Sequence, residues 1–271
     1  SERVYDRFED IFFAGNPLGH NILGSKESIS AFGSEACRDW IRRYYTAPNM
    51  VFYYLGPASA TNVIRLTERY FHDLNDGPAP LSRAVPASAE RFFIRENHDG
   101  HQSHCVMGTT IPGMYSPDRY AMSLALNILG GPGMNARLNV SLRERRGLVY
   151  TVETSTTMLS DTGLATIYFG CDHADSSRCR ALVAKELDRM ASCALSPRAL
   201  DAAKRQFIGQ LTLGNDNKEQ QALSMGRATL SYGHAALPGD TSRHISAITA
   251  QELQQAVIAL TDSLNHCLIL E

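Results

Sequence analysis

The chain has 271 residues, 44% of them apolar and 20% charged, the balance of a folded globular protein long enough for about two domains. A formal net charge of −2 provides no field to draw nucleic acid or an anionic membrane, and no apolar run reaches spanning length. Six scattered cysteines without a CxxC pair argue against a thiolate zinc site. They read as buried free thiols, Cys37 and Cys267 among them, in a reducing, cytoplasmic setting. The chain does not open with Met, so a leader upstream of Ser1 is left open.

Val4, Phe8, Ile11 and Phe12 fall at helical spacing over Glu2–Phe13, and Gly15-Asn16-Pro17 breaks the pattern. Ser25 opens a short helix. Ser34 caps a longer one whose Cys37, Trp40, Ile41, Tyr44 and Tyr45 form a single stripe ended by Pro48. The apolar run Met50–Leu55 has the length and bounds of a buried strand. Val63, Leu66, Tyr70 and Leu74 mark another amphipathic helix. Asn75–Ser88, with three prolines, a glycine and no periodicity, is the best linker in the chain.

Strands are expected at Arg91–Glu96 and Ser103–Thr110, then a helix at Tyr120–Leu129. The stretch Leu126–Tyr150 comes next: a helix end, the glycine turn Gly130–Gly133, a second helix capped by Asn135, and the start of a strand. Leu138 and Leu142 lie on one face of that helix, and Gly147 after a basic last turn is the expected terminating glycine. Arg143 would then sit one turn from the helix end and Tyr150 at the strand's start, so the two side chains could converge. Val149–Met158 and Leu164–Phe169 read as a hairpin around Ser160–Gly163. Three helical patterns come after it: one from Cys179 to Met190, one capped by Ser196 with Pro197 at its first position, and one over Glu219–Leu230. Thr249-x-x-Glu252 is a capping box for a last helix, before a strand near Leu264–Leu270.

Residues Ile29–Leu55 echo Ile245–Glu271 at a constant offset of 216, helix stripe on helix stripe and strand on strand. Ile29-Ser30-Ala31 falls on Ile245-Ser246-Ala247, and Asn49 on Asn265. The register holds without a gap, which points to a duplicated unit. On that reading residues 1–75 are the C-terminal part of a first α/β unit, 76–88 the linker and 89–271 a complete second unit. Well over a hundred residues of the first copy would lie upstream of Ser1.

The stretches Asn16–Gly24, Tyr45–Val51, Leu129–Leu138 and Leu142–Tyr150 together resemble the pitrilysin/insulinase family of zinc metallopeptidases, in its mitochondrial-processing-peptidase-like branch. Asn135 and Ala136 stand where that family often has serines. The resemblance implies an α+β fold of duplicated metallopeptidase-type units, each a mostly antiparallel sheet covered by helices, here the last third of one and the whole of the next. It implies a zinc site built on an H-x-x-E-H helix and a downstream glutamate of the first unit. This sequence contains no H-x-x-E-H, so the zinc ligands are expected outside the chain and no metal within it. What the resemblance assigns to the second unit is an arginine and a tyrosine spaced R-x6-Y, here Arg143 and Tyr150, as catalytic and substrate-binding residues.

Peptide hydrolysis places negative charge on the scissile carbonyl oxygen, and a preplaced phenol can stabilise it by about 3 kcal/mol. A guanidinium fork can hold substrate backbone carbonyls. Neither group activates water, so the chain alone is expected to cleave nothing. The expected partners are a peptide substrate and the missing N-terminal portion or a partner chain carrying H-x-x-E-H, with a homodimer also open, and neither nucleic acid nor a membrane span. Two other readings stand beside this one: a non-catalytic scaffold subunit of the same fold, and an unrelated α+β binding module. An arginine near a helix end is ordinarily a solvated charge and a strand-start tyrosine a core residue with its hydroxyl at the rim. His98, His101 and His104 read as a surface loop with a turn at Asp99-Gly100, since a spacing of three gathers them on neither strand face. Gly130–Gly133 is preceded by no strand and lacks G-x-G-x-x-G, so it is no dinucleotide loop. The acids Glu9-Asp10 and Asp216/Glu219 read as solvated faces.

Overall fold

The computed structural model describes residues 2–271 apart from 88, 99, 215 and 238. Helix α1 (Glu2–Phe12) buries Val4, Phe8 and Phe12, the stripe its spacing predicts. Strands β1 (Phe92–Glu96) and β2 (Ser103–Ile111) are followed by α5 (Arg119–Gly130), with α2 (Lys26–Ala31), α3 (Ser34–Tyr44) and α4 (Ala60–Phe71) lying between α1 and β1 in the chain. The hairpin is β3 (Val149–Met158) and β4 (Gly163–Cys171). Helices α6 (Ser176–Ser192), α7 (Pro197–Gly214), α8 (Lys218–Tyr232), α9 (Asp240–Ala247) and α10 (Ala250–Ser263) precede the last strand, β5 (His266–Leu270). The sheet order is β1-β5-β2-β4-β3, with β1 and β5 parallel and every other pairing antiparallel. A mostly antiparallel sheet covered by helices is the architecture the family resemblance implied.

Alternation sorts the sheet residues between two layers. Val106, Tyr168 and Leu268 pack against Phe8 and Phe12 of α1. Cys105, Ile167, Phe169 and Ile269 are buried on the other face, where α5 reaches β3 through Thr154 Oγ1, which donates to the Leu126 carbonyl at 2.9 Å. Helix α10 packs on α5, α6 and β2. Every residue of β4 is buried, as a central strand between two covered faces must be. Thr249 and Glu252 form the reciprocal capping box expected at the start of α10.

Close contacts divide the chain into two units: Ser1–Asn21, Val85–Gly209 and Thr241–Glu271 in one, Ile22–Ala84 and Gln210–Asp240 in the other. Within the second, Ser25 caps α2 in a box with Ser28. Gly33, rather than Ser34, holds the N-cap position of α3. Two expectations fail in this unit. The α3 stripe is not buried: Trp40 and Ile41 are 60% and 52% exposed, and Cys37 is an exposed thiol. Cys193, in the first unit, is exposed as well, while Cys105, Cys171, Cys179 and Cys267 are buried. Residues 51–55 form no strand, and Phe52, Tyr54 and Leu55 are exposed. The physical reason is pairing. Strand β5, on which this run falls in the echo, has β1 on one side and β2 on the other, whereas no described strand offers residues 51–55 a ladder.

At an offset of 216, the ends of α2 and α9 coincide, Ala31 on Ala247, and so do the starts of α3 and α10, Ser34 on Ala250.

Candidate functional site

Leu138 and Leu142, both fully buried, anchor the helical stretch between α5 and β3. Asn135 does not cap it. Its amide exchanges hydrogen bonds with Gln206 of α7, at 2.7 and 3.1 Å. The stretch also departs from the expected α-helix: Asn139–Glu144 is a π-helix, and Arg145 donates its N–H to the Val140 carbonyl, five residues back. The extra residue turns the downstream side chains by about 100° around the axis. Arg143 lies within this π segment, exposed, and its guanidinium has no hydrogen-bond or ion-pair partner among the described residues.

Gly147 ends the stretch with φ +61, a backbone that only glycine adopts cheaply. Its N–H bonds to the Arg143 carbonyl at 2.8 Å, and the Leu148 N–H closes on Leu142 at 3.0 Å. The Gly147 bond reaches four residues back, as in the usual αL termination, and the Leu148 bond reaches six back, one more than in a Schellman motif. Leu148 and Val149 then dive into the core and begin β3.

Tyr150 occupies a β-bulge. Val149 pairs with Cys171 and Thr151 with Gly170, so two steps on β3 meet one on β4 and Tyr150 is the residue left over. A bulge re-aims its side chain away from the regular alternation. Tyr150 is accordingly 56% exposed rather than a core residue. Its hydroxyl donates to Asp172 Oδ1 at 2.8 Å. That hydrogen bond, and then the carboxylate's charge, raise the phenol above its ordinary pKa and hold its proton. The π segment packs against β3, which puts the stretches bearing Arg143 and Tyr150 side by side. No hydrogen bond joins the two side chains to each other.

The backbone just past β4 is held from several sides. The Asp175 N–H bonds to the Asp172 carbonyl at 3.0 Å. His173 lies 2.9 Å from the Ser103 hydroxyl through Nδ1 and 3.2 Å from the Gly100 carbonyl through Nε2. Because a carbonyl can only accept, Nε2 is the donor to Gly100. Asp172 was not singled out from the sequence. The signal available was its place directly after the strand that pairs with Val149.

Two cavities of about 460 and 300 Å³ lie elsewhere in this unit, and neither is lined by Arg143 or Tyr150. The larger has Tyr120 and His244 stacked at 4.3 Å in its wall. Among the described residues no three His, Cys, Asp or Glu side chains gather into a cluster that could hold a metal ion. His104 contacts the Tyr168 hydroxyl at 2.9 Å, and the turn expected beside His101 includes residue 99, outside the described residues. No helix is long and apolar enough to cross a membrane, among the described residues.

A helix-covered, largely antiparallel five-stranded sheet, with an arginine and a tyrosine exposed on irregular backbone, defines the class: a mixed α+β domain. Residues 31–207 match the peptidase M16 inactive domain, and the chain belongs to that family. It is 26% identical over 260 residues to an uncharacterised zinc protease of Streptomyces coelicolor, covering 93% of this chain and 56% of that protein. It is 26% identical to a probable mitochondrial-processing peptidase subunit beta of Schizosaccharomyces pombe, covering 93% of this chain and 58% of the relative. The chain thus spans less than three fifths of these relatives. A crystal structure of a peptidase M16 inactive domain from Pseudomonas fluorescens superposes with a TM-score of 0.84 at 22% identity, covering 99% of this chain and 64% of that one.

Proposed function

We propose that the chain is the C-terminal portion of a zinc metalloendopeptidase acting on peptides or unfolded polypeptides. In this reading it presents Tyr150 as the donor to the carbonyl oxygen under attack and Arg143 as the anchor for substrate backbone. The zinc belongs to the missing N-terminal portion or to a partner chain carrying H-x-x-E-H, and supplies the activation of water that neither residue here can perform. The same reading takes the protein as cytoplasmic and divides it as 1–75, 76–88 and 89–271. Coincident helix ends across the 216-residue echo support that division.

The observation that carries the reading is the backbone under the pair. The arginine sits on a π-helix and the tyrosine on a β-bulge, the two irregularities in this stretch. Each costs regular hydrogen bonding and each aims a polar side chain outward, as sites of chemistry tend to require. A phenol kept protonated is competent to donate to a developing oxyanion. An unpaired guanidinium gives up no partner when it takes a peptide carbonyl.

The test is turnover of an unfolded polypeptide by the chain assembled with its zinc-bearing portion. Tyr150→Phe should lower kcat by about a hundredfold. Arg143→Ala should act chiefly on KM. Unchanged values in both variants would leave the second reading, a non-catalytic subunit of the same fold, which the family's description as an inactive domain favours.

A further inference from the structure

Asp172 occupies the position before a short 3₁₀ turn (His173–Asp175), where an aspartate ordinarily caps the following N–H groups. Here the side chain caps nothing. Its backbone carbonyl alone serves the turn, accepting from Asp175, and its carboxylate is directed across to β3, where it receives the Tyr150 hydroxyl at 2.8 Å. The local fold therefore gives no use for this carboxylate, and the contact to Tyr150 gives it one. The need is physical. A bulge residue lacks ladder bonds on its own backbone, and a half-exposed phenol with two free torsions would otherwise sample several orientations. His173, tied to Ser103 and Gly100, and Ser176, whose hydroxyl donates to the His173 carbonyl at 3.2 Å, fix the backbone from which Asp172 reaches.

We infer that Asp172 is the positioning residue for Tyr150: it holds the phenol in one orientation with its proton in place, and yields that hydrogen bond when a peptide carbonyl oxygen arrives. No covalent bond changes. The O–H turns from Asp172 Oδ1 to the substrate oxygen, and the released carboxylate becomes an acceptor beside the bound chain. An extended peptide alternates carbonyl and N–H groups along its edge, so an N–H of the same substrate can take the vacated oxygen. The site would thus prefer extended backbone over a helix, whose groups are already paired. The groups that bear on the phenol are Asp172 and, more weakly, the neighbouring Cys171 thiol.

The inference rests on the proposed role of Tyr150, and two measurements separate their failures. In the 271-residue chain, the Tyr150 ring carbon is titrated by NMR, with Tyr150→Phe identifying its signal. The native phenol should titrate above the ordinary tyrosine value, and Asp172→Ala should bring it back to that value, with Asp172→Asn between them because its amide oxygen still accepts. An identical titration in all three overturns the inference whatever becomes of catalysis. In the assembled zinc enzyme, Asp172→Ala should lower kcat by about tenfold, the low end of what losing an outer partner costs, and leave KM within about twofold. A kcat equal to the native value, in an assembly where Tyr150→Phe does slow turnover, overturns it as well. If Tyr150→Phe leaves turnover unchanged, the role of Tyr150 is lost and the inference falls with it. Circular dichroism that matches the native chain assigns the effects to the contact, since both residues are exposed.

Discussion

Tyr150 shows how far a single side chain can be read ahead of its structure. Spacing alone gives a tyrosine at a strand start, which is ordinarily buried. Exposure, bulge and the bond to Asp172 come from a pairing register that depends on β4, more than a dozen residues away. The tyrosine's proton is held above the usual range by a hydrogen bond to a carboxylate, so the sign is fixed. The protonated form is favoured in the folded chain, and the contact is intact below the ordinary tyrosine pKa and lost as pH climbs through the raised one. At neutral pH the donor is fully present, and activity of the assembled enzyme should show no alkaline limb near pH 9 that is traceable to this phenol. A limb that disappears in Tyr150→Phe would contradict this. In the core the arithmetic is simpler. Phe8 is completely buried between α1 and the sheet and stacks on Phe12 at 5.5 Å. Phe8→Ala should cost about 3–5 kcal/mol of unfolding free energy in urea titrations.

Elements were legible where local chemistry decides them. The capping box at Thr249 and Glu252 is a pair of reciprocal bonds within four residues, and the helix begins where it says. Thr249→Ala should lower stability by about 1 kcal/mol, measured by the shift of the denaturation midpoint. Helix α1 is also clamped to β1 by Arg7, whose Nε and Nη2 donate to Glu96 at 2.7–3.1 Å. Arg7 holds the Glu96 carboxyl below the usual carboxylate range, so the pair's contribution is present above the ordinary pKa and lost as pH falls through the depressed one. Both side chains are substantially exposed, which limits the effect to about 0.5 kcal/mol. Acid titration of stability in Glu96→Gln should lack that component and match the native chain below it. The π-helix was not legible, because Leu138 and Leu142 satisfy an α spacing equally well. The same four-residue interval fits both helices, and only the carbonyl that Arg145 finds distinguishes them.

At the scale of the molecule the described donors do not gather into a metal site, and the matched relatives are longer than this chain. Metal analysis of the purified chain should therefore find well under one zinc per molecule, and incubation with an unfolded polypeptide should yield no cleavage until the zinc-bearing portion is added. Stoichiometric zinc, or hydrolysis by the chain alone, would contradict the division of labour proposed for it. The amino-acid sequence by itself determined most of the helices, the capping boxes at Ser25 and at Thr249 with Glu252, and the hairpin. Those come from periodicity and from side chains acting on backbone a few residues away. Only the tertiary structure decided whether an apolar stripe is covered, whether Met50–Leu55 becomes a strand, and where the Tyr150 hydroxyl points. Each of these depends on a partner distant in the chain: a surface to exclude water, a neighbouring ladder, a carboxylate across the sheet. A pattern can specify what a segment needs, but what it meets is settled when the chain has folded.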